Sequence, residues 1–175
     1  GGWDVSNVIY MNAMFYINVL LTEPLNGWDV SSCINMSQMF QSSQYNQPLN
    51  LWNMSAVTTT TSMFQSNTAF NQNIEDWDVS NVTSMQYMFY NAFAFNSNIK
   101  DWNVSKVSNF LGTFRGTRAF TSLLEWDTSS ATNMSYMFYL ADVFNQPIGN
   151  WNVANVTDME AMFWNYISPP GNINA

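Results

Sequence analysis

Histidine is absent from this 175-residue chain, cysteine occurs once, and only four basic residues stand against twelve acidic ones. Without histidine, general-base chemistry at neutral pH loses its usual agent. The lone Cys33 excludes an intrachain disulfide and, placed where other parts of the chain carry valine or alanine, reads as a small buried core residue. Lys100, Lys106, Arg115 and Arg118 leave a formal net charge of −8. No basic footprint exists for phosphate backbones, so neither nucleic acid nor an anionic membrane surface is an expected partner. No apolar run reaches the roughly 18 residues of a membrane span, and direct membrane insertion is not expected. The opening GGWDVSNV lacks the basic and hydrophobic regions of a signal peptide. The expectation is a mature product or a piece cut from a longer array.

Charge being scarce, the surface must be wetted by Asn, Gln, Ser and Thr, while an apolar fraction of 47% is too high for disorder. Such a composition suits an exterior or secreted protein. What the chain has in abundance is repetition. Tryptophan returns every 24 or 25 residues, at Trp3, Trp28, Trp52, Trp77, Trp102, Trp126 and Trp151. Seven copies of one unit account for the chain, which is therefore read as a single repeat domain over 1–175.

With tryptophan as position zero, position two is Val5, Val30, Met54, Val79, Val104, Thr128 or Val153, and position five is Val8, Cys33, Val57, Val82, Val107, Ala131 or Val156. Position eleven is Met in every unit but one, where Thr113 stands, and position twelve is always Phe, from Phe15 to Phe163. Zero and two alternate with polar residues, the period of a strand with one buried face; eight, eleven and twelve have the spacing of a helical turn. A further aromatic lies near position eighteen (Tyr45, Phe70, Phe95, Phe120, Phe144), usually followed by Asn. One such unit cannot bury its own apolar face, whereas stacked copies can. The expected fold is α/β: a right-handed, leucine-rich-repeat-like solenoid of seven 24–25-residue coils with short parallel strands and short helical turns. The Met and Phe stripe is then core.

The run WDVSNVTSMQYMF, its echoes WDVSNVIYMNAMF, WDVSSCINMSQMF and WNVANVTDMEAMF, and the links FNQNI and FNQPI resemble the BspA-like surface-protein repeat. That family is also described as the Mycoplasma lipoprotein repeat of unknown function. The resemblance spans all seven units and is weakest at SNFLGTF and at NYISPPGNINA. It implies a leucine-rich-repeat relative with a cell-surface role in adhesion, recognition or structure, and it carries over no catalytic or ligand-binding residue.

Position one alternates acid and amide: Asp4, Asp29, Asn53, Asp78, Asn103, Asp127 and Asn152. In a parallel stack, carboxylates about 4.8 Å apart repel, and interleaved Asn reads as relief of that repulsion. A row of calcium sites is the competing reading, opposed by the lack of glycine-rich turns. The acids Glu75 to Asp78 and Glu125 to Asp127 cluster at unit junctions, which repeat scaffolds place on solvated faces. No enzyme activity, catalytic residue, metal site or cofactor is expected.

Six Asn-x-Ser/Thr triplets, at Asn35, Asn53, Asn81, Asn103, Asn133 and Asn155, are candidate N-glycosylation acceptors. They fall at positions seven, one, four, one, seven and four, so no two neighbouring units share a register, and all three registers are expected to face outward. The ends matter equally. Pro169, Pro170 and Gly171 are expected to help terminate the stack, while the N-terminal face has no such device and offers a route to head-to-tail association. The expected protein is a non-enzymatic extracellular, cell-surface or virion-surface structural or adhesive element whose partners are other copies of itself or surface proteins and glycans. A recognition module for a protein or glycan is the alternative, favoured by any exposed aromatic row among Tyr10, Tyr87, Tyr90, Tyr136, Tyr139 and Trp164.

Overall fold

A computed structural model describes residues 2–165. The Pro169–Gly171 terminator lies outside the described residues. Each unit opens with a tight bend set by position one. The Asp78 carboxylate accepts the backbone N–H of Ser80 at 3.0 Å, and Val82 N–H closes a turn onto the Val79 carbonyl at 2.9 Å. Asp and Asn are suited to this because their short side chains can take the place of a backbone acceptor two residues on. All seven position-one residues do the same. The bend swings Val79 and Val82 inward, both buried.

The second half of the unit has a different rule. Tyr87, Phe89 and Asn91 donate their N–H groups to carbonyls of the next unit, Leu111, Thr113 and Arg115, at 2.8, 2.9 and 2.8 Å. The intervening Met88, Tyr90 and Ala92 donate back to Met85, Tyr87 and Phe89 in the same unit. Every second amide thus points along the stack and the others close turns. That alternation needs a left-handed residue at positions ten and fourteen: Ala13 and Ile17, Gln38 and Ser42, Ser62 and Ser66, Tyr87 and Asn91, Gly112 and Gly116, Tyr136 and Leu140, and Ala161 all have positive φ.

The expected α/β class with helical turns and short parallel strands is therefore overturned. Among the described residues there is no helix, and pairing between units is reduced to one column of single parallel bridges, Tyr10 to Asn35, Thr59, Ser84, Asn109, Asn133 and Asp158. The reason is where the amides go. A helix directs each N–H to a carbonyl four residues back and leaves none for a neighbour. Here the left-handed residues interrupt that path, and the freed amides bind the next coil. The Trp-to-Val segment does not form a strand because the position-one bend closes on itself before a ladder can run.

Between the backbone layers the side chains form continuous columns. Phe15, Phe40, Phe64, Phe89, Phe114, Phe138 and Phe163 stack with centroids 5.5–5.8 Å apart. Beside them the second aromatics pack in pairs, such as Phe89 on Phe95 at 3.8 Å. The indole of Trp77 donates to the Leu49 carbonyl at 2.9 Å, and those of Trp52, Trp102, Trp126 and Trp151 likewise reach carbonyls two or three residues ahead of the preceding tryptophan. Tryptophan stacks on tryptophan across the 25-residue units, as for Trp52, Trp77 and Trp102. Where a unit has 24 residues, the missing residue lies between Phe40 and Trp52 or between Phe114 and Trp126. There the phenylalanine column continues, whereas no indole pair forms.

A third column runs through the Phe-Asn link. Asn46, Asn71 and Asn96 each accept, through Oδ1, the backbone N–H one unit on, of Asn71, Asn96 and Thr121, at 2.8–3.0 Å. This satisfies linker amides that have no turn to close.

Candidate functional site

The described surface offers three places to a partner: the polar bend face, an aromatic lateral row, and the ends of the stack. On the bend face, the carboxylates of Asp4, Asp29, Asp78 and Asp127 are held below the usual carboxylate range, first by the side-chain hydroxyl of the serine two residues on and then by its amide. Repulsion from Asp4 acts on Asp29, but as the weakest contribution. Position one is thus chosen mainly for its own bend, and relief of column repulsion is secondary. Among the described residues, no group of three or more acidic, histidine or cysteine side chains converges as a metal site would. No helix is long and apolar enough to cross a membrane.

The six candidate acceptors occupy two environments. Asn53, Asn81, Asn103 and Asn155 are exposed, whereas Asn35 and Asn133 sit half-buried in the bridge column. The outward expectation for position seven therefore fails: the bridge that joins adjacent coils draws its residue into the stack. Asn133 Oδ1 accepts from both the amide and the hydroxyl of the buried Ser135. In Asn81 and Asn155 the amide nitrogen itself donates to Ser55 and Ser129 carbonyls at 2.8 Å. In Asn53 and Asn103 only the amide oxygen is engaged, by the serine of the triplet.

Positions ten and thirteen form the lateral row. In the fourth unit they are Tyr87 and Tyr90, rings 5.7 Å apart; in the sixth, Tyr136 and Tyr139, 5.5 Å apart. Trp164 stacks on Tyr139 at 4.6 Å. Between the two pairs the fifth unit places Gly112 and Arg115. A Cβ at Gly112 would lie 2.6 Å from the Tyr87 ring, and Gly112 also carries a positive φ, so the glycine makes room for that ring. The Arg115 guanidinium lies 4.5 Å from the Tyr139 centroid, 5.1 Å from Tyr90 and 5.3 Å from Tyr136. Tyr136 hydrogen-bonds Glu160, and that bond raises its phenol above the ordinary range. Tyr10 does not join the row; it is the first residue of the bridge column and is 64% exposed at the N-terminal end.

Composition hid one fact about charge. All four cations lie between residues 100 and 118. Lys100 pairs with Glu125 at 3.1 Å, and Lys106 donates to Asn81 Oδ1 at 2.6 Å. Arg115 and Arg118 have no carboxylate within ion-pair distance among the described residues; Arg118 lies over Phe93 at 4.2 Å. A cavity of about 220 Å³ adjoins, lined in part by Phe93, Arg118, Leu140 and Asp142. A second, of about 480 Å³, opens between the sixth and seventh units, where Glu125 is its one lining carboxylate.

At the N-terminal end the same residues that form the core elsewhere face outward. Trp3 is 69% exposed against 3% for Trp77, and Ile17, Val19 and Leu20 of the same unit are exposed too. The Ile9 N–H and the carbonyls of Tyr10, Asn12, Met14 and Tyr16, whose counterparts in inner units bind the preceding coil, have no hydrogen-bond partner among the described residues. In the seventh unit the N–H groups of Met159, Ala161 and Phe163 and the carbonyl of Thr157 are likewise unpaired among the described residues.

A family model described as "Mycoplasma protein of unknown function, DUF285" matches residues 1–101 and 88–174. No curated protein and no solved structure matches the chain.

Proposed function

Since the chain belongs to the Mycoplasma DUF285 family, whose description assigns no activity, we propose from its own surfaces that it is a non-enzymatic structural or adhesive protein that associates head to tail. The observation carrying this reading is the complementarity of the two ends. Among the described residues the first unit leaves four carbonyls and one N–H unpaired, and the seventh leaves N–H groups and one carbonyl unpaired in the matching register. An unpaired bridge edge recruits whatever can complete it, and a unit of this same repeat completes it with no new chemistry. The contact is heterologous, so it propagates into an open filament. The BspA-like, leucine-rich-repeat kinship and an extracellular or cell-surface setting belong to the same proposal. The kinship is supported by the repeated WDVSNVTSMQYMF-type run, and the setting by the amide-rich surface and six acceptor triplets, of which Asn53 and Asn103 have amide nitrogens unpaired among the described residues.

Association is measured by sedimentation velocity over a dilution series, with Trp3→Lys as the comparison. Trp3 is 69% exposed and its one ring partner among the described residues is Trp28, so the variant is expected to keep its melting temperature and lose association by about tenfold or more. A wild-type chain that remains monomeric up to its solubility limit overturns the reading. A second reading, ligand recognition by the lateral face, is supported by the row from Tyr87 to Trp164.

A further inference from the structure

We infer that the lateral row binds an anionic glycan, a chain of pyranose rings bearing carboxylate or sulfate groups, centred on Arg115. The inference rests on the lateral-face reading and gives it a ligand class. Arg115 is half-buried, framed by three tyrosine rings, and faces no carboxylate among the described residues. Aromatic rings attract the cation without accepting its N–H groups in the plane, and the Arg115 side chain makes no hydrogen bond among the described residues, so its donors are available to an acceptor. In a chain with twelve acids, Arg115 and Arg118 both lie against aromatic rings, and neither has a carboxylate within ion-pair distance among the described residues. The five donors of Arg115 form a fork that fits a carboxylate or sulfate in two parallel bonds.

The rings supply the rest. Tyrosine faces offer sugar C–H surfaces a flat apolar platform, a role for Tyr87 and Tyr90, while Tyr139, stacked by Trp164 and set against Arg115, positions the cation. The pairs Tyr87–Tyr90 and Tyr136–Tyr139 lie two coils apart, about 10 Å at the usual spacing of paired backbones, on the scale of a disaccharide. Arg115 sits between them, where a substituent on the intervening sugar would point. Gly112 keeps the path low, because the Tyr87 ring occupies the space that a side chain would fill. Arg118, over Phe93 beside the 220 Å³ cavity, places a second cation one turn away. An acidic peptide would also satisfy Arg115. The row of tyrosine rings nevertheless offers flat apolar faces at successive points, and that favours stacked sugar rings.

The equivalent row in earlier units, Gln38 with Gln41 and Ser62 with Gln65, has no ring and no cation, which makes it an internal control. Isothermal titration would use hexagalacturonate, its full methyl ester, a sulfated hexasaccharide and hexaglutamate. Expected is binding of hexagalacturonate or the sulfated probe, weakened about tenfold for the ester and for Arg115→Gln, the size of one lost charge-assisted pair. Tyr139→Ala weakens binding similarly, and Gln65→Ala leaves it unchanged. Arg115→Lys retains part of the affinity, and Arg118→Gln serves if Arg115→Gln fails to fold by near-ultraviolet circular dichroism. Tighter binding of the sulfated probe identifies sulfate as the charge, and tighter binding of the uronate identifies carboxylate. Hexaglutamate binding that equals the sugars and needs Arg115 overturns the glycan class while leaving lateral recognition standing. No binding by any probe, or binding indifferent to both Arg115→Gln and Tyr139→Ala, overturns the inference.

Discussion

The first unit and the fourth have nearly the same sequence, WDVSNVIYMNAMF against WDVSNVTSMQYMF, yet they live in different surroundings. Phe89 is fully buried between Phe64 and Phe114; Phe15 has a phenylalanine on one side only and is half-buried. The indole N–H of Trp77 meets the Leu49 carbonyl, while Trp3 has only the ring of Trp28. Their backbones, by contrast, agree: Ala13 and Ile17 in the first unit take the left-handed conformation as Tyr87 and Asn91 do in the fourth. Conformation in this chain is local to the unit. Burial is conferred by the neighbour.

The largest effect that would break this comparison is removal of the column phenylalanine. Phe89→Ala leaves a void closed on both sides and is expected to cost about 3–5 kcal/mol, whereas Phe15→Ala can relax toward solvent and should cost less than half as much. Urea denaturation of both variants checks this. Equal losses would show that the first unit is covered in solution.

A smaller effect sharpens the local half of the comparison. Ser66→Gly, at φ +56°, and Ile17→Gly, at φ +58°, each relieve a left-handed residue and should raise stability by about 1 kcal/mol, less the entropy that glycine loses on folding. The backbone part of the gain is the same in both units, although Ile17 also surrenders exposed apolar contact. If Ser66→Gly destabilises in the same urea assay, left-handed geometry at position fourteen is not what the turn requires.

The smallest effect separates the first unit from the other six, since it alone lacks an acceptor triplet. Expressed through a eukaryotic secretory pathway, the chain should carry glycans first at Asn53 and Asn103, then at Asn81 and Asn155, and least at Asn35 and Asn133. Melting temperature should shift by no more than a few degrees. Site-resolved glycopeptide mass spectrometry gives the order; full occupancy of Asn133 with little at Asn53 would contradict the burial argument.

Much of this arrangement is legible in the residues. The period, the buried tryptophan, valine, methionine and phenylalanine positions and the stacking of copies follow from spacing alone, because only a neighbour of the same kind can cover them. The helical turn did not follow, and the cause is specific. Offsets of three and four place side chains together in a right-handed helix, but a chain of turns with a left-handed residue every fourth position produces the same offsets. Nothing in Ser62, Tyr87 or Ile17 announces positive φ; only Gly112, Gly116 and Asn91 are of types that favour it. The position-one acids were legible as a column but not as bends, since the contact that matters is two residues away in sequence and not one coil away in space. The lateral aromatics could be picked out as a set. That Arg115 lies among them could also have been found, because it shares position thirteen with Tyr90 and Tyr139.

The amides that run along the stack also set how the molecule would behave under tension. They tie coil to coil, and the asparagine column of the linkers runs in the same direction. A pull on the two ends would therefore peel coils one at a time from an end and spare the whole from breaking at once. Each peeled coil releases about 80 Å of slack, the extended length of its two dozen residues. The tryptophan period would then be readable as a ruler in a force trace, with six nearly equal steps, one for each interface between neighbouring coils.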